Sequence, residues 1–287
     1  MPSLLCLGLG YTAGVLADRL MGEGWRVVGT VRGEARAAEL KARGFEAIVH
    51  DGRAPTPALA AAIGHADAIV SSVPPDDHGD PMLRDHRADL AAAGQAAWIG
   101  YLSTTGVYGD RGGDWVDETA ELRPSGVRQQ RRVDAEAGWL GLWRDAGRPV
   151  HVFRLAGIYG PGRSPVATAQ RGEARRVYKE GQIFSRIHVA DAATVLAASI
   201  ARPRPGAVYN VADDEPAAPW DVTAYACNVA GVPAPPLVPF ESADLSPMAR
   251  SFYADSKRVS NRLIRTELGV NLAFPDYRAG LSALART

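Results

Sequence analysis

An α/β fold built on a doubly wound parallel sheet is what this sequence predicts, and three observations predict it. Apolar runs of strand length alternate with segments of helical periodicity from Leu4 to Val211, the rhythm of a parallel sheet covered on both faces. The opening stretch, Leu4-Leu5-Cys6-Leu7-Gly8-Leu9-Gly10-Tyr11-Thr12-Ala13, joins an apolar run to a glycine turn and then to a helical segment. Polar clusters close two later runs, Ser71-Ser72-Val73-Pro74-Pro75 and Ser103-Thr104-Thr105-Gly106. They would stand at C-terminal strand ends, the edge where open parallel sheets bind ligands.

The opening stretch has the order of a dinucleotide-binding βαβ unit. Gly8 lets the strand turn sharply, Gly10 lets a diphosphate approach the backbone, and Ala13 is small enough for the helix to pack on the strand. The new helix would aim its N–H groups at the phosphates, so Gly8, Gly10, Tyr11, Thr12 and Ala13 are the first cofactor candidates. Ala13 to Met21 continues the helical pattern, and Gly22 and Gly24 stop it. Trp25 to Val31 reads as a second buried strand. Sites that prefer NAD place an acid about twenty residues on, at the ribose 2′-hydroxyl. Here Thr30 and Arg32 stand there instead. Arg32 is a fixed cation whose planar fork suits a 2′-phosphate, which predicts NADP(H) over NAD(H). The alternative is a solvated surface charge.

The bulk numbers bound the class. At 287 residues the chain can build one large α/β domain and a smaller appendage. With 46% hydrophobic and 22% charged residues it reads as an ordinary globular protein. A formal net charge of +0 argues against nucleic acid or an anionic membrane as main partner. No apolar run approaches the roughly 20 residues that span a bilayer. The N-terminal residues enter a strand without a signal-peptide pattern, so a cytoplasmic location is expected. Cys6 and Cys227 lack metal-ligand spacing and imply no disulfide framework, so no metal is expected.

Further elements follow in order. Glu34 to Arg43 reads as a helix closed by Gly44, and Phe45 to Val49 as a strand ending at His50-Asp51. The Asp51 carboxylate could reach an adenine amino group or cap the next turn. Leu59 to Ile63 belongs to a short helix and Ala66 to Val70 to the fourth strand, whose end offers Ser71, Ser72 and Val73 to the cofactor. Asp76 to Pro81 is a polar loop that could act as a flap. Pro81 to Gln95 is helical, and Ala97 to Leu102 is the fifth strand, ending at Ser103. Val127 to Trp143 is a helix with a basic first half, and Val150 to Arg154 is the sixth strand. Val189 to Ile200 is a helix, Ala207 to Val211 the last sheet strand, and Trp220 to Val229 another helix. Val232 to Pro239 reads as an extended Pro-rich connector.

Ser103-Thr104-Thr105-Gly106-Val107-Tyr108-Gly109-Asp110 makes the pattern specific. It resembles the extended short-chain dehydrogenase/reductase group, the NAD-dependent epimerase/dehydratase family, as an atypical member. Arg154 to Arg163 is similar to the family's Arg…Tyr-Gly-Pro-Gly segment, and Ile187-His188-Val189-Ala190-Asp191 to its His-Val-x-Asp segment. Val208-Tyr209-Asn210-Val211 and Asp255-Ser256-Lys257-Arg258 resemble two more. The resemblance implies an NAD(P)-binding Rossmann domain over residues 1–160, continued by about 186–212. It implies a smaller C-terminal substrate-binding lobe from 161–185 and 213–287.

Family enzymes use a Ser or Thr, a Tyr and a Lys. The Lys ammonium lowers the Tyr pKa and bonds the nicotinamide ribose. Counting back four from Tyr108 puts Thr104 at the Ser/Thr position. Taking Glu136 as the acid that follows the pair puts Arg132 at the Lys position and Arg128 at the Tyr position. Guanidinium stays protonated and cannot shuttle the proton, and no Tyr occurs between Tyr108 and Tyr159. Tyr108, Tyr159 and His188 are the substitutes the resemblance leaves, each also readable as a packing residue. Thr105 and Gly106 stand where the family's dehydratases carry an acid pair, which argues against a dehydratase.

The basic stretch with Arg163, Arg171, Arg175, Arg176 and Lys179, together with Arg250, suggests an anionic substrate; its alternative is a solvated charge run. Tyr159, Arg163, Arg176 and Arg250 are the substrate candidates. The expected function is an NADP(H)-dependent oxidoreductase or epimerase on a small, anionic or sugar-nucleotide-like, hydroxyl or carbonyl substrate. The competing expectation is a non-catalytic NAD(P)-binding redox sensor, which the missing Tyr favours. A homodimer stays open as an assembly.

Overall fold

The computed structural model describes residues 1–286. The chain runs β1 (Ser3–Leu7), α1 (Tyr11–Gly22), β2 (Arg26–Val31), α2 (Glu34–Ala42), β3 (Glu46–Val49), α3 (Pro57–His65), β4 (Ala68–Ser71), α4 (Pro81–Ala92) and β5 (Trp98–Thr104). A 3-10 turn over Thr105–Tyr108 leads to β6 (Trp115–Val116), α5 (Val127–Ala146), β7 (Val150–Leu155) and β8 (Gly157–Tyr159). Then come α6 (Pro165–Gln170), β9 (Arg176–Tyr178), β10 (Arg186–His188), α7 (Val189–Ala201), β11 (Val208–Val211) and α8 (Pro219–Val229). The chain ends through β12 (Leu237–Pro239), α9 (Pro247–Phe252), β13 (Arg258–Val259), α10 (Arg262–Thr266) and α11 (Tyr277–Leu284).

Seven strands form one parallel sheet in the order β11-β7-β5-β4-β1-β2-β3. The order reverses at β1, whose Cys6 pairs with Gly29 on one side and Val70 on the other. The crevice outside such a reversal is where doubly wound sheets take ligands. The central strands β1 and β4 read as apolar runs because both faces are covered. Among the described residues no helix is long and apolar enough to cross a membrane.

The internal contacts resolve two compact units. Residues 1–104, 130–154 and 193–209 make the first. Its core gathers Leu5, Leu7, Ile69, Ile99, Tyr101, Trp139 and Val152. Residues 105–129, 155–192 and 210–287 make the second. It is stitched by three short parallel ladders, β8 with β10, β9 with β12 and β6 with β13. Tyr159, Val166, Val222, Ala226, Tyr277 and Leu281 form its core.

Gly280 on α11 is the close fit in that second core. A Cβ there would lie 2.1 Å from the Tyr159 hydroxyl. Gly280→Ala is expected to lower stability by about 1–3 kcal/mol, since the ring is walled in and must shift. Urea denaturation checks this; an unchanged midpoint would show that the ring has room to move.

Two connecting segments are tied into the fold. The Pro-rich connector is not wholly free: Leu237–Pro239 pairs as β12 with Arg176–Tyr178. A two-stranded edge tolerates proline where its missing N–H faces away from the partner. The flap at 76–81 is a pinned turn. Asp76 bridges Gly79 and accepts the His78 N–H at 2.7 Å. Arg131 holds Asp77 at 2.6 Å, and Asp80 caps α4 by accepting from Met82 and Leu83 at 2.9 and 3.2 Å. The α4 helix stops at Ala92 and leaves helical geometry at His86 (φ −130°, ψ 21°), short of the expected Gln95.

Candidate functional site

The turn between β1 and α1 is fastened from both neighbouring strands. Gly8 sits at φ +81°, a region that favours glycine. Its N–H donates to Thr30 Oγ1 at 2.7 Å, and its carbonyl accepts from Ser72 Oγ at 2.5 Å. Leu9 N–H donates to Thr30 O at 3.0 Å and Gly10 N–H to Gly8 O at 2.9 Å. The turn therefore uses its own amides internally. The amides left for a ligand belong to the first turn of α1, where Gly10 is the N-cap and no side chain caps the helix. A twelve-residue helix with an uncapped, positively polarised end fits a dinucleotide diphosphate. Tyr11 is half-buried there, and Thr12 and Ala13 are buried against the sheet.

The strand ends beside the turn show where the other cofactor candidates lie. Thr30 is buried and serves the turn as a fastener. Arg32 is exposed at the tip of β2. Asp51 accepts from Arg53 N–H at 3.1 Å and pairs with its guanidinium at 3.4 Å, so the capping alternative is the one the structure displays. Ser71 is fully buried, and its hydroxyl has no partner among the described residues. Ser72 is spent on Gly8, and Val73 packs against the first core.

The end of β5 is gripped by α5. Arg132 Nη1 donates to Leu102 O at 2.9 Å and to the Tyr101 hydroxyl at 3.1 Å. One turn on, Glu136 accepts the Ser103 hydroxyl at 2.5 Å. Arg154 closes on the same carboxylate, its Nη2 at 2.8 Å from Oε2 and its Nε at 3.2 Å from both oxygens. Glu136 and Arg154 are both buried. Ser103 is thus engaged inside the protein rather than turned to a ligand, because Glu136 needs the donor. Thr104, the next residue, is half-buried at the strand end. Asp80 lies on the same face, accepts from Trp139 Nε1 at 2.9 Å, and has its carboxyl pushed up by burial. Sequence reasoning saw Glu136 only as a marker of register and missed its partner Arg154, whose signal was the Arg that opens the Tyr-Gly-Pro-Gly segment.

The second unit gives the remaining candidates local partners. Tyr108 is fully buried and donates its hydroxyl to Asn210 Oδ1 at 2.7 Å. Tyr159 is buried, reaches Asp276 O at 3.4 Å, and burial pushes its phenol up. The His188 ring sits 4.0 Å from Phe274 and edge-on to Tyr159 at 5.3 Å, and its Nδ1 accepts from Ala190 N–H at 3.3 Å. Burial lowers the His188 pKa, against the opposing charge of Asp191, which favours the neutral ring. Asp191, the acid of the His-Val-x-Asp segment, accepts the N–H groups of Ala273 and Phe274, both at 2.8 Å.

A groove of about 510 Å³ in this unit is lined by Tyr159, Arg163, Ser164, Thr168, Arg175 and Thr223, among others. Arg163 therefore borders a cavity. Arg176 and Arg250 donate to the carbonyls of Pro235 and Ala243 at 3.4 and 3.0 Å, and Arg250 lies over Phe240 at 4.7 Å. These two are anchored to their own unit. Among the described residues no group of three or more His, Cys, Asp or Glu is arranged to hold a metal ion.

Asp213 was not anticipated. It is 1% exposed, and its carboxyl oxygens accept no well-formed hydrogen bond. Burial pushes its pKa up to about 8, against the nearby Arg186. The unfolded chain loses this proton near pH 3.9. Between about pH 4 and 8 the folded state holds a proton that the unfolded chain has released, so stability falls as pH rises through that window. Below about pH 6.5, His50 and His188, whose pKa values burial lowers, act in the opposite sense. Above it Asp213 dominates, with a slope of up to about 1.4 kcal/mol per pH unit. Asp213→Asn is expected to flatten the decline between pH 6.5 and 8, measured by urea denaturation at each pH; an unaltered slope would locate its source elsewhere.

Comparisons with known proteins agree with this geometry. Residues 4–80 match the TrkA-N domain family. A functionally unknown conserved protein from Silicibacter pomeroyi is 50% identical, with a TM-score of 0.92 over 100% of this chain and 99% of that one. A putative NAD-dependent epimerase/dehydratase from Methylobacillus flagellatus is 25% identical, with a TM-score of 0.72 over 99% and 97%. Protein YeeZ of Escherichia coli is 28% identical over 224 residues, 74% of this chain and 77% of its own length. Two more distant structures share the fold: a human epimerase family protein with NADPH at 16% identity and TM-score 0.76, and a Bacillus anthracis dTDP-glucose 4,6-dehydratase with NAD at 17% and 0.77. They cover 100% of this chain, and 99% and 96% of their own. The fastened glycine turn at the sheet reversal and these likenesses converge on one fold: structural neighbours of the chain are members of the NAD-dependent epimerase/dehydratase family, the extended short-chain dehydrogenases/reductases.

Proposed function

We propose that the chain is an NADP(H)-dependent oxidoreductase or epimerase acting on a small hydroxyl or carbonyl substrate, anionic or sugar-nucleotide-like. The observation that carries this reading is the glycine turn. It is locked by Thr30 and Ser72 and presents an uncapped first turn of α1 at the reversal of the sheet. Structural neighbours hold NAD or NADPH, which supports a nicotinamide dinucleotide. When bound, that group supplies the hydride chemistry. The choice of NADP(H) rests on Arg32, which has no ion-pair partner among the described residues and no acid beside it on β2. Thr104 holds the substrate oxygen, and Arg132 stands in for the ribose-binding Lys. Arg163 and its groove support an anionic substrate. A cytoplasmic setting, a small-molecule partner, no nucleic acid or membrane partner, and a homodimer belong to the same proposal.

Calorimetric titration tests the cofactor. NADPH is expected to bind more tightly than NADH, and Arg32→Ala to weaken NADPH about tenfold or more while leaving NADH little changed, as loss of a charge-assisted phosphate contact requires. Tighter NADH binding by the wild type would defeat the assignment.

A second reading, a cofactor-binding redox sensor without turnover, is favoured by one observation. Tyr108, Tyr159 and His188 are all buried and engaged with local partners. A metabolite panel separates the two. Oxidation or reduction of bound cofactor by a metabolite supports the enzyme, and tight binding without turnover supports the sensor.

A further inference from the structure

The Glu136–Arg154 pair is more than a stabilising contact. It lies at the junction of three elements, with Glu136 on α5, Arg154 on β7 and Ser103 on β5. Arg132 and Glu136 are four residues apart, so they lie one above the other on one face of α5, about 6 Å apart along its axis. Tyr101 and Ser103 are two apart on β5, on one face of the strand and about 6.6 Å apart. The spacings match, and α5 takes hold of β5 at two points. Arg132 grips Tyr101 and Leu102, and Glu136 grips Ser103. A one-point contact would let the helix slide or roll on the strand. Two points fix both its height and its rotation. A buried ion pair gains little over apolar packing of equal volume, so its presence speaks for a fixed register more than for stability.

We infer that Ser103 and Glu136 are positioning residues for the nicotinamide half of the cofactor: by locking β5 to α5 they fix where Thr104 and the Arg132 guanidinium stand. This rests on the cofactor reading given above. Neither residue touches the cofactor. The hydroxyl of Ser103 and the carboxylate of Glu136 are consumed by one another and by Arg154. Their effect reaches the ligand only through Thr104, one residue on, and Arg132, one helical turn back.

The inference separates the two ends of the cofactor. The turn at Gly8 is fastened by Thr30 and Ser72 and owes nothing to Glu136. Loosening the β5–α5 grip should therefore weaken a ligand that carries nicotinamide and spare one that lacks it. The probes are NADPH and 2′-phospho-ADP, which keeps the diphosphate and lacks the nicotinamide ribose, titrated by calorimetry into wild type and Ser103→Ala. The variant deletes one hydroxyl and leaves the Arg154–Glu136 ion pair intact. NADPH affinity is expected to fall about five- to tenfold, as loss of a hydrogen bond to a charged group allows. Affinity for 2′-phospho-ADP is expected to stay within about twofold. A general weakening of the fold would move both ligands together. Equal losses for the two ligands, or no loss for either, would overturn the inference. Should Ser103→Ala fail to fold, Ser103→Cys, which keeps the side-chain volume but donates only weakly to Glu136, must show the same split. Wild type that binds neither ligand would instead overturn the cofactor reading, and this inference with it.

Discussion

Gly8→Val is expected to abolish nicotinamide dinucleotide binding and to lower the stability of the chain, whereas Gly10→Ala is expected to weaken binding and leave stability almost untouched. The two glycines stand two residues apart in the same turn, yet they are glycine for different reasons. Gly8 has φ +81°, where an L side chain costs roughly 1–2 kcal/mol. A Cβ on Gly8 would lie 3.0 Å from Val73 Cγ2 and 3.2 Å from Ser72 Oγ, before the branches of valine are added. Ser72 would be displaced from the Gly8 carbonyl that its hydroxyl holds at 2.5 Å, and the turn would lose one of its two fasteners. Gly10 is ordinary by comparison. It has φ −89°, and a Cβ there would make normal contact, 3.6 Å from Ser72 Oγ. The added methyl makes no clash in the protein but stands at the N-cap of α1, where the diphosphate would approach. Thermal unfolding without ligand should drop for Gly8→Val and change little for Gly10→Ala. Calorimetry with NADPH should show no heat for the first and at least about tenfold weaker binding for the second. Undiminished affinity in Gly10→Ala would mean that the diphosphate lies elsewhere.

Arg154→Leu is expected to destabilise the chain by about 3–5 kcal/mol, the usual consequence of leaving one member of a buried pair alone. Glu136 is 2% exposed and would keep only the Ser103 hydroxyl. The double variant Glu136→Leu/Arg154→Leu should recover most of that loss, because no charge then stays behind without its counterion. Urea denaturation of both single variants and the double, treated as a cycle, checks this. A double variant as unstable as Arg154→Leu would show that shape, not charge, decides the site. The double variant also strips α5 of its hold on Ser103. A chain with recovered stability and impaired NADPH affinity would therefore separate folding from positioning.

The sheet could be read from the sequence because burial on both faces leaves its central strands as largely apolar runs, visible within five or six residues. The glycine turn was visible for the same local reason: strand, turn and helix follow one another directly. The short β12 escaped because prolines dominate its neighbourhood, and the pairing with Arg176–Tyr178 comes from about sixty residues upstream. The candidate site divides in the same way. Residue type announced Tyr108, Tyr159 and His188 as proton carriers, but type does not reveal distant partners. Tyr108 meets Asn210, 102 residues on, and Tyr159 meets the carbonyl of Asp276, 117 residues on. Ser103 was read as a ligand group for a similar reason. Its acceptor Glu136 lies 33 residues later, on a helix whose rotation no local pattern specified.

Asp191 carries a consequence for biosynthesis. Its two oxygens are satisfied by the amides of Ala273 and Phe274, 82 and 83 residues downstream. A nascent chain emerges N-terminus first, so this acid stays wet until Ala273 and Phe274 have left the ribosome. The sheet of the first unit can assemble earlier, but the second unit closes only after those two residues have been translated.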